Sequence, residues 1–222
     1  MQDATVARRN MVEGQIRPSG VTHPGLLQAM GEVPREAFLP EALKGVAYTD
    51  DDLPLPGGRY VIEPLILARL IQAALPGPGD RALVIGAGVG YGAVILARLV
   101  GRVTALEESP DLVAAATRAV AGIGAGNIAI VQGPHEAGWA KAAPYDVILV
   151  EGAITDLPPT IAGQLEEGGR LVALWSAAPG LGRGTARLSL KAGGRLSSRT
   201  LFDAATPHLP GFARRPAFVF PA

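Results

Sequence analysis

Three glycines at alternate positions constrain the fold of this chain more than any other feature. Gly86, Gly88 and Gly90 follow a short apolar run at residues 82–85 and precede an apolar segment at residues 93–100. This order is typical of a buried strand, a tight turn and a helix, which together open a β-α-β unit. Glycine allows positive φ in such a turn and lets a ligand approach the main chain closely. The stretch therefore predicts a ligand-binding bend at the carboxyl end of a strand.

The spacing of the glycines narrows the class of ligand. A dinucleotide fingerprint needs a third glycine at its sixth position, where this chain has Tyr91, and no Gly-Lys-Ser/Thr follows as a phosphate-binding P-loop would require. A second predicted strand, at residues 102–106, leads to Glu107, whose carboxylate can accept hydrogen bonds from both hydroxyls of a ribose. The pattern predicts a nucleoside cofactor without a pyrophosphate. We expect Glu107 to face the bend and the hollow beside the bend to be open.

Strand-like and helix-like segments alternate along the middle of the chain. With 222 residues, of which 48% are hydrophobic, the chain is long enough for one sizeable core. The alternation predicts an α/β fold with a mostly parallel, doubly wound sheet. Residues 1–79 are interpreted as an N-terminal helical cap of the same globule, and residues 80–222 as the α/β domain with antiparallel strands near its C-terminus. The predicted strands are at 59–62, 82–85, 102–106, 127–132, 145–150, 170–175, 187–191, 196–201 and 218–220. The predicted helices are at 4–17, 64–75, 91–100, 110–123 and 158–165, with a further helix that Thr22 caps.

Composition limits the classes of partner. Twenty basic and twenty acidic residues cancel, and no apolar span reaches 18 residues. We therefore expect a cytoplasmic protein that binds neither nucleic acid nor membrane, as a monomer or small homo-oligomer. Residues 177–222 carry seven basic residues against one acid, which we interpret as the solvated face of a β-hairpin, with a surface for an anionic partner as the alternative. The absence of cysteine excludes disulfides and zinc-thiolate sites.

The chain resembles the protein-L-isoaspartate O-methyltransferase family. The resemblance covers roughly residues 10–175, and its most specific motif is Val33-Pro34-Arg35-Glu36-x-Phe38-Leu39-Pro40. The other shared motifs are Met11-Val12-x-x-Gln15-Ile16-Arg17, Ile85-Gly86-x-Gly88-x-Gly90-Tyr91, Glu107, Gly138-Trp139, Pro144-Tyr145-Asp146 and Gly168-Gly169-Arg170-Leu171-Val172. The resemblance implies a Rossmann-like class I methyltransferase fold, S-adenosylmethionine as cofactor, and a damaged protein or peptide carboxylate as substrate. It also implies that Gly86, Gly88, Gly90 and Glu107 bind the cofactor.

Three positions depart from the family pattern. Ile62 stands where the family has a serine thought to meet the substrate carboxylate, Val84 replaces an acid, and Pro134 replaces an aspartate that addresses the adenine. An isoleucine cannot donate a hydrogen bond. These departures leave two alternatives open, a methyltransferase with a different acceptor and a non-catalytic binding protein that kept the fold.

No catalytic residue is assigned from the sequence. A carboxylate acceptor is ionised at neutral pH, since its pKa is about 3.9, and so it needs no general base. Glu63 and Glu151 are expected near the ligand edge, where they are either solvated or capping carboxylates or part of a site for a cationic acceptor. The three histidines, at 23, 135 and 208, are interpreted as structural or exposed, so no metal site is expected.

Overall fold

The computed structural model describes residues 3–177 and 183–212. The N-terminal part contains α1 (Ala4–Met11), a π-helical turn (Val12–Ile16), α2 (Pro24–Glu32), 3₁₀ turns (Arg35–Phe38 and Glu41–Val46), β1 (Leu53–Leu55), β2 (Arg59–Val61) and α3 (Pro64–Ala74). The part that follows contains β3 (Arg81–Ile85), α4 (Tyr91–Ala97), β4 (Arg102–Glu107), α5 (Pro110–Ile123), β5 (Ile128–Gln132), β6 (Tyr145–Ile154), α6 (Pro159–Gly163), β7 (Leu165–Trp175), β8 (Arg183–Ala192) and β9 (Arg195–Ala205). The strand expected at 218–220 lies outside the described residues.

The central sheet has seven strands in the order β5-β4-β3-β6-β7-β8-β9. The first five are parallel, and β8 and β9 are added by antiparallel pairing. This confirms the predicted mostly parallel, doubly wound sheet with a β-rich C-terminal part. The chain places β4 and β5 on one side of β3 and then crosses to place β6 on the other. The carboxyl ends of β3 and β6 therefore flank a topological switch point, where sheets of this kind bind ligands.

The strand β6 is longer than the sequence predicts. We expected it to end at residue 150, but it continues to Ile154. The added residues find backbone partners near the C-terminal end of the described chain: the N–H of Ala153 donates to the carbonyl of Pro207 (3.0 Å), and the carbonyl of Ala153 accepts from the N–H of Leu209 (2.8 Å). This pairing is between residues far apart in sequence, so local patterns carry no sign of it.

The N-terminal elements pack against the sheet and α4 in one hydrophobic cluster that includes Met11, Met30 and Leu67. Arg35, from the Val-Pro-Arg-Glu motif, is fully buried there. Its Nε donates to the carbonyl of Ala47 (2.8 Å) and its Nη2 to the carbonyl of Ile62 (2.9 Å). The motif thus fixes the segment that leads into α3. In residues 3–177 and 183–212, no helix has the length and apolar character needed to cross a membrane.

Two of the three consecutive aspartates at residues 50–52 stabilise the start of α3. The Asp52 carboxylate accepts from the N–H of Glu63 (3.0 Å), and the Asp50 carboxylate accepts from the N–H of Leu65 (3.3 Å). The first N–H groups of a helix lack partners within the helix, so side-chain acceptors stabilise it. The polar loop before β1 therefore has a structural role at the edge of the candidate site.

Candidate cofactor site

The three glycines form the predicted bend between β3 and α4. All have positive φ, at +75° for Gly86, +54° for Gly88 and +90° for Gly90. The carbonyl of Leu106 accepts from the N–H groups of Gly86 (2.9 Å) and Ala87 (3.0 Å), which holds the bend against β4. A Cβ at Gly90 would lie 3.4 Å from side-chain atoms of α5. The third glycine therefore serves helix packing, while the first two line the hollow.

Glu107 faces this bend, as the sequence predicts. Its Oε2 accepts from the N–H of Gly88 (2.8 Å), and its Oε1 accepts from the N–H groups of Glu108 (2.9 Å) and Ser109 (3.1 Å). Its buried side chain also lies close to the guanidinium of Arg59, with 3.3 Å between Arg59 Nη2 and Glu107 Oε2. Burial raises the pKa of Glu107, but the hydrogen bond from His135 and the charge of Arg59 outweigh it and lower the pKa to about 2. The carboxylate is therefore ionised at any physiological pH.

The hollow beside the bend is filled by the chain itself, so the expectation of an open hollow is wrong. We call this space the cradle; it is bounded by Gly86, Glu107 and Gly152. The guanidinium of Arg59 donates to the carbonyl of Gly86 (2.5 Å). The fully buried side chain of Leu209 lies so close that a Cβ at Gly86 would be 2.5 Å from Leu209 Cδ1. A Cβ at Gly152 would likewise lie 2.9 Å from Leu209 Cβ.

His135, interpreted from the sequence as structural or exposed, is a buried residue of the site. It is fully buried, and its Nε2 lies 3.3 Å from Glu107 Oε1 and 3.1 Å from the N–H of Glu108. Its Nδ1 lies 3.1 Å from the carbonyl of Pro210, so the ring bridges the Glu107 side chain and the C-terminal part of the chain. Its position in the sequence could have indicated this role. His135 follows β5, whose last residue, Gln132, is in register with Glu107.

Glu151 lies in the C-terminal half of β6, beside the switch point. It is 4% exposed, and its Oε1 has no hydrogen-bond partner among the described residues. Burial raises its pKa to about 8, against the opposing charges of Arg59 and Arg35. Its carboxylate packs onto α4, where a Cβ at Gly92 would overlap Glu151 Oε1. The interpretation of Glu151 as a solvated carboxylate is therefore wrong, because the group is buried.

Glu63 lies at the rim and not in the cradle. It is half-buried, and burial together with the charges of Asp50, Asp52 and Asp51 raises its pKa to about 7. It precedes α3 but makes no side-chain hydrogen bond to the helix start. The caps are Asp50 and Asp52, so the interpretation of Glu63 as a capping carboxylate is wrong.

The three departures from the family pattern occupy different settings. Ile62 and Val84 are buried in the hydrophobic core, with 1% and 0% of their surface exposed. Pro134 precedes the short 3₁₀ turn that carries His135. Histidine 23 caps α2 by accepting from the N–H of Leu26 (3.1 Å). Among residues 3–177 and 183–212 there is no group of three acidic or histidine side chains placed to hold a metal ion.

The fold and the bend define a class I S-adenosylmethionine-dependent methyltransferase architecture: a doubly wound sheet with a glycine bend after its first central strand and an acid at the end of the next. The particular family follows from comparison with known proteins. The chain belongs to the protein-L-isoaspartate O-methyltransferase family, because the model of the family Protein-L-isoaspartate(D-aspartate) O-methyltransferase matches residues 7–176. Members of this family are S-adenosylmethionine-dependent enzymes.

Individual relatives agree with the family assignment. The chain is 44% identical over 165 residues to Protein-L-isoaspartate O-methyltransferase 1 of Rhodopseudomonas palustris (strain HaA2), which covers 74% of this chain and 67% of the relative. It is 43% identical over 170 residues to Protein-L-isoaspartate O-methyltransferase of Methylorubrum extorquens (strain PA1), which covers 77% of this chain and 74% of the relative. A solved protein-L-isoaspartate O-methyltransferase is similar with a TM-score of 0.81 and 28% identity, covering 93% of this chain and 67% of that one. A Plasmodium falciparum structure in complex with S-adenosyl-L-homocysteine shares the fold, with a TM-score of 0.76 and 21% identity over 91% and 97% of the two chains.

The described conformation does not fit the cofactor. The groups that the family pattern assigns to a nucleoside are present, since Glu107 faces Gly88 across the cradle. The volume that a nucleoside would need is occupied by Arg59 and Leu209. The resemblance thus gives the correct family, while in this structure the cradle is filled by protein side chains.

Proposed function

We propose that this chain is an S-adenosylmethionine-dependent carboxyl methyltransferase that acts on isoaspartyl residues of damaged proteins. The observation that carries the proposal is the contact between Glu107 Oε2 and the N–H of Gly88 at 2.8 Å, in a chain whose family model extends over residues 7–176. Glu107 remains the predicted ribose ligand, and Gly86, Gly88 and Gly90 remain the predicted cofactor-binding glycines.

The proposed methyl transfer depends on orienting the reacting groups and excluding water more than on acid–base catalysis. An isoaspartyl carboxylate is ionised at neutral pH, so no side chain has to remove a proton from it. Holding the reacting groups together in a water-poor site supplies most of the acceleration in such transfers. The edge between Ile62, Glu63 and Glu151 is buried or half-buried, which supports this role.

A different acceptor is the second candidate, and the acidic rim favours it. Glu63 lies near Asp50, Asp51 and Asp52, and the buried Glu151 lies at the adjacent sheet edge. The aspartate carboxylates of this rim repel an anionic acceptor and attract a cationic or amine-bearing one, whereas Glu151, whose pKa burial raises to about 8, is mostly protonated at pH 7. Ile62 offers no hydroxyl to a carboxylate. These features support an amine-bearing acceptor within the same class of transferase.

One paired experiment tests the proposal. Calorimetry with S-adenosylmethionine measures cofactor affinity, and methyl transfer is then measured with an isoaspartyl peptide, the matched aspartyl peptide and a lysine-bearing peptide. Turnover of the isoaspartyl peptide alone is expected. Turnover of the lysine-bearing peptide alone would establish the second candidate. Absence of cofactor binding at millimolar concentration, in the full chain and in the Arg59 and Leu209 variants described below, would refute both.

Residues 1–79 are proposed to act as a cap over this edge of the sheet. We also propose a cytoplasmic location and a monomer or small homo-oligomer that works without nucleic acid, supported by the balance of twenty basic and twenty acidic residues. Sedimentation of the purified chain and fractionation of cells that express it would test these points.

A further inference from the structure

The C-terminal stretch at residues 206–212, which we call the closing segment, enters the cradle in an ordered way. It pairs with the end of β6 through the hydrogen bonds of Ala153 with Pro207 and Leu209. The N–H of Thr155 donates to the carbonyl of Phe212 (3.4 Å), which extends this pairing. Leu209 and Phe212 belong to a hydrophobic cluster with residues of β3, β6 and β7. The segment is therefore packed and hydrogen-bonded in place.

Glu107 has no acceptor capacity left in this state. A carboxylate offers about four lone-pair sites. Oε1 accepts from the N–H groups of Glu108 and Ser109 and lies 3.3 Å from His135 Nε2, and Oε2 accepts from the N–H of Gly88 and from Arg59 Nη2. The hydroxyls of a ribose can bond to Glu107 only when Arg59 has moved away. Because the Arg59 guanidinium also donates to the carbonyl of Gly86, it lies across the bend that a nucleoside would have to approach.

The Leu209 side chain covers the backbone at the two glycines, Gly86 and Gly152, where a ligand could otherwise approach the main chain. Glycine at 86 and 152 leaves room for a group to touch the backbone, and in this structure the group is the Leu209 side chain. His135 fixes the same segment from the other side, with Nδ1 3.1 Å from the carbonyl of Pro210. The ligand-binding features of the cradle are thus all in contact with protein atoms.

We propose that Arg59 and the closing segment form a built-in competitor of the nucleoside cofactor, so that the cofactor binds only to the fraction of molecules in which both have left the cradle. The inference rests on the proposed function. When the competent state is a minor fraction, the apparent dissociation constant is the intrinsic one divided by that fraction. Substitutions that weaken the competitor therefore tighten cofactor binding, even though they remove native contacts.

Affinity for S-adenosyl-L-homocysteine is the first measurement. Calorimetry on the full chain and on Arg59→Gln, Leu209→Ala and the double variant is expected to show binding at least tenfold tighter in the variants. Leu165→Ala is the matched control for Leu209→Ala, because Leu165 is equally buried but lies at the amino end of the sheet, paired with Tyr145. Arg170→Gln is the control for Arg59→Gln, since it breaks the Arg170–Asp80 ion pair away from the cradle. Both controls are expected to bind like the parent chain.

A thiol reporter gives a readout that does not depend on activity. The chain has no cysteine, so Leu209→Cys introduces a single thiol in the cradle. Its reaction with a maleimide is expected to be slow in the free protein and to accelerate with S-adenosyl-L-homocysteine, saturating at the concentration that calorimetry gives. In the control Leu165→Cys, the ligand is expected to leave the labelling rate unchanged.

The outcomes separate the inference from the proposed function. Tighter binding in the cradle variants, with ligand-dependent labelling at position 209, supports both. Micromolar binding by the parent chain that is unchanged in the variants, with a thiol at 209 that stays protected, overturns the competitor and leaves the proposed function intact. Failure of every variant to bind overturns both, because the closing segment and Arg59 would then not be what limits binding.

Discussion

Arg59 Nη2 lies 3.3 Å from Glu107 Oε2, and the two side chains are only 5% and 1% exposed. An ion pair so thoroughly removed from water is costly to disturb from one side alone, because the remaining charge keeps its desolvation penalty. The pair therefore links the stability of the protein to the state of the cradle.

Replacing Glu107 by glutamine is expected to lower the free energy of unfolding by about 3–5 kcal/mol, because Arg59 loses its carboxylate partner in a buried position. The new amide group also directs N–H donors at the N–H groups of Gly88 or Ser109, which are donors themselves. Urea unfolding at pH 7 measures the loss. The matched control is Glu108→Gln, whose side chain is 51% exposed and whose effect should stay within about 0.5 kcal/mol. Equal effects at the two positions would contradict the prediction.

Glu151 makes the stability of the protein depend on pH. Its folded pKa, about 8, lies above its ordinary value of 4.5, so the folded chain binds this proton more tightly than the unfolded chain. The contribution is complete below pH 4.5 and is lost as the pH rises towards 8. Between pH 5 and pH 8, the parent chain should lose on the order of 2–4 kcal/mol relative to Glu151→Gln. Denaturant titrations across this range measure the difference.

Glu63 provides the matched control for this experiment. Its pKa is raised in the same direction, to about 7, but the side chain is half-buried and solvent screens its interactions. Glu63→Gln should therefore change the pH profile less than Glu151→Gln does. Superimposable profiles of the parent chain and Glu151→Gln would show that Glu151 is hydrated in solution.

Arg35 should be among the most sensitive positions in the N-terminal part. Arg35→Met leaves the carbonyls of Ala47 and Ile62 without their charged donors, each worth about 1.5–3 kcal/mol. We expect a loss of about 3–5 kcal/mol in the free energy of unfolding. Arg35→Lys should rescue little of it, because one ammonium group cannot reproduce the fork that reaches both carbonyls. Arg9→Met, at an exposed position of α1, is the control and should be nearly neutral.

The effect of Gly92→Ala on the free energy of unfolding is expected to change sign when Glu151 is replaced by alanine. In a helix, Gly→Ala usually stabilises by up to about 1 kcal/mol. At position 92 the added Cβ overlaps Glu151 Oε1, so Gly92→Ala should destabilise the parent chain and stabilise the Glu151→Ala variant. A double-mutant cycle by thermal unfolding measures this coupling. Gly122→Ala on α5, where a Cβ meets nothing within 4 Å, should stabilise both backgrounds alike.

Much of this architecture follows from local sequence signals. The glycine bend, the strands around it and the helix Pro110–Ile123 are encoded by positive-φ positions, apolar runs and a Ser-Pro start, all within a few neighbouring residues. The place of Glu107 follows from the rule that parallel strands end at one edge.

The closure of the cradle could not be read in the same way. Arg59 precedes Gly86 by 27 residues, and Leu209 follows it by 123, so their meeting depends on tertiary packing. Nothing in the pattern around His135 distinguishes a buried bridging ring from an exposed one. The length of β6 was missed for the same reason, because its last residues pair with the closing segment.

The closing segment begins directly after Ala205, the last residue of β9, which is one of the two outer strands of the sheet formed by residues 3–177 and 183–212. Outer strands have one unpaired side and are the natural place for another extended chain to attach. A molecule that binds to β9, or separates it from β8, would displace the backbone that leads directly to Leu209. Binding at the edge strand β9 is therefore linked to the cradle through the backbone that joins Ala205 to Leu209.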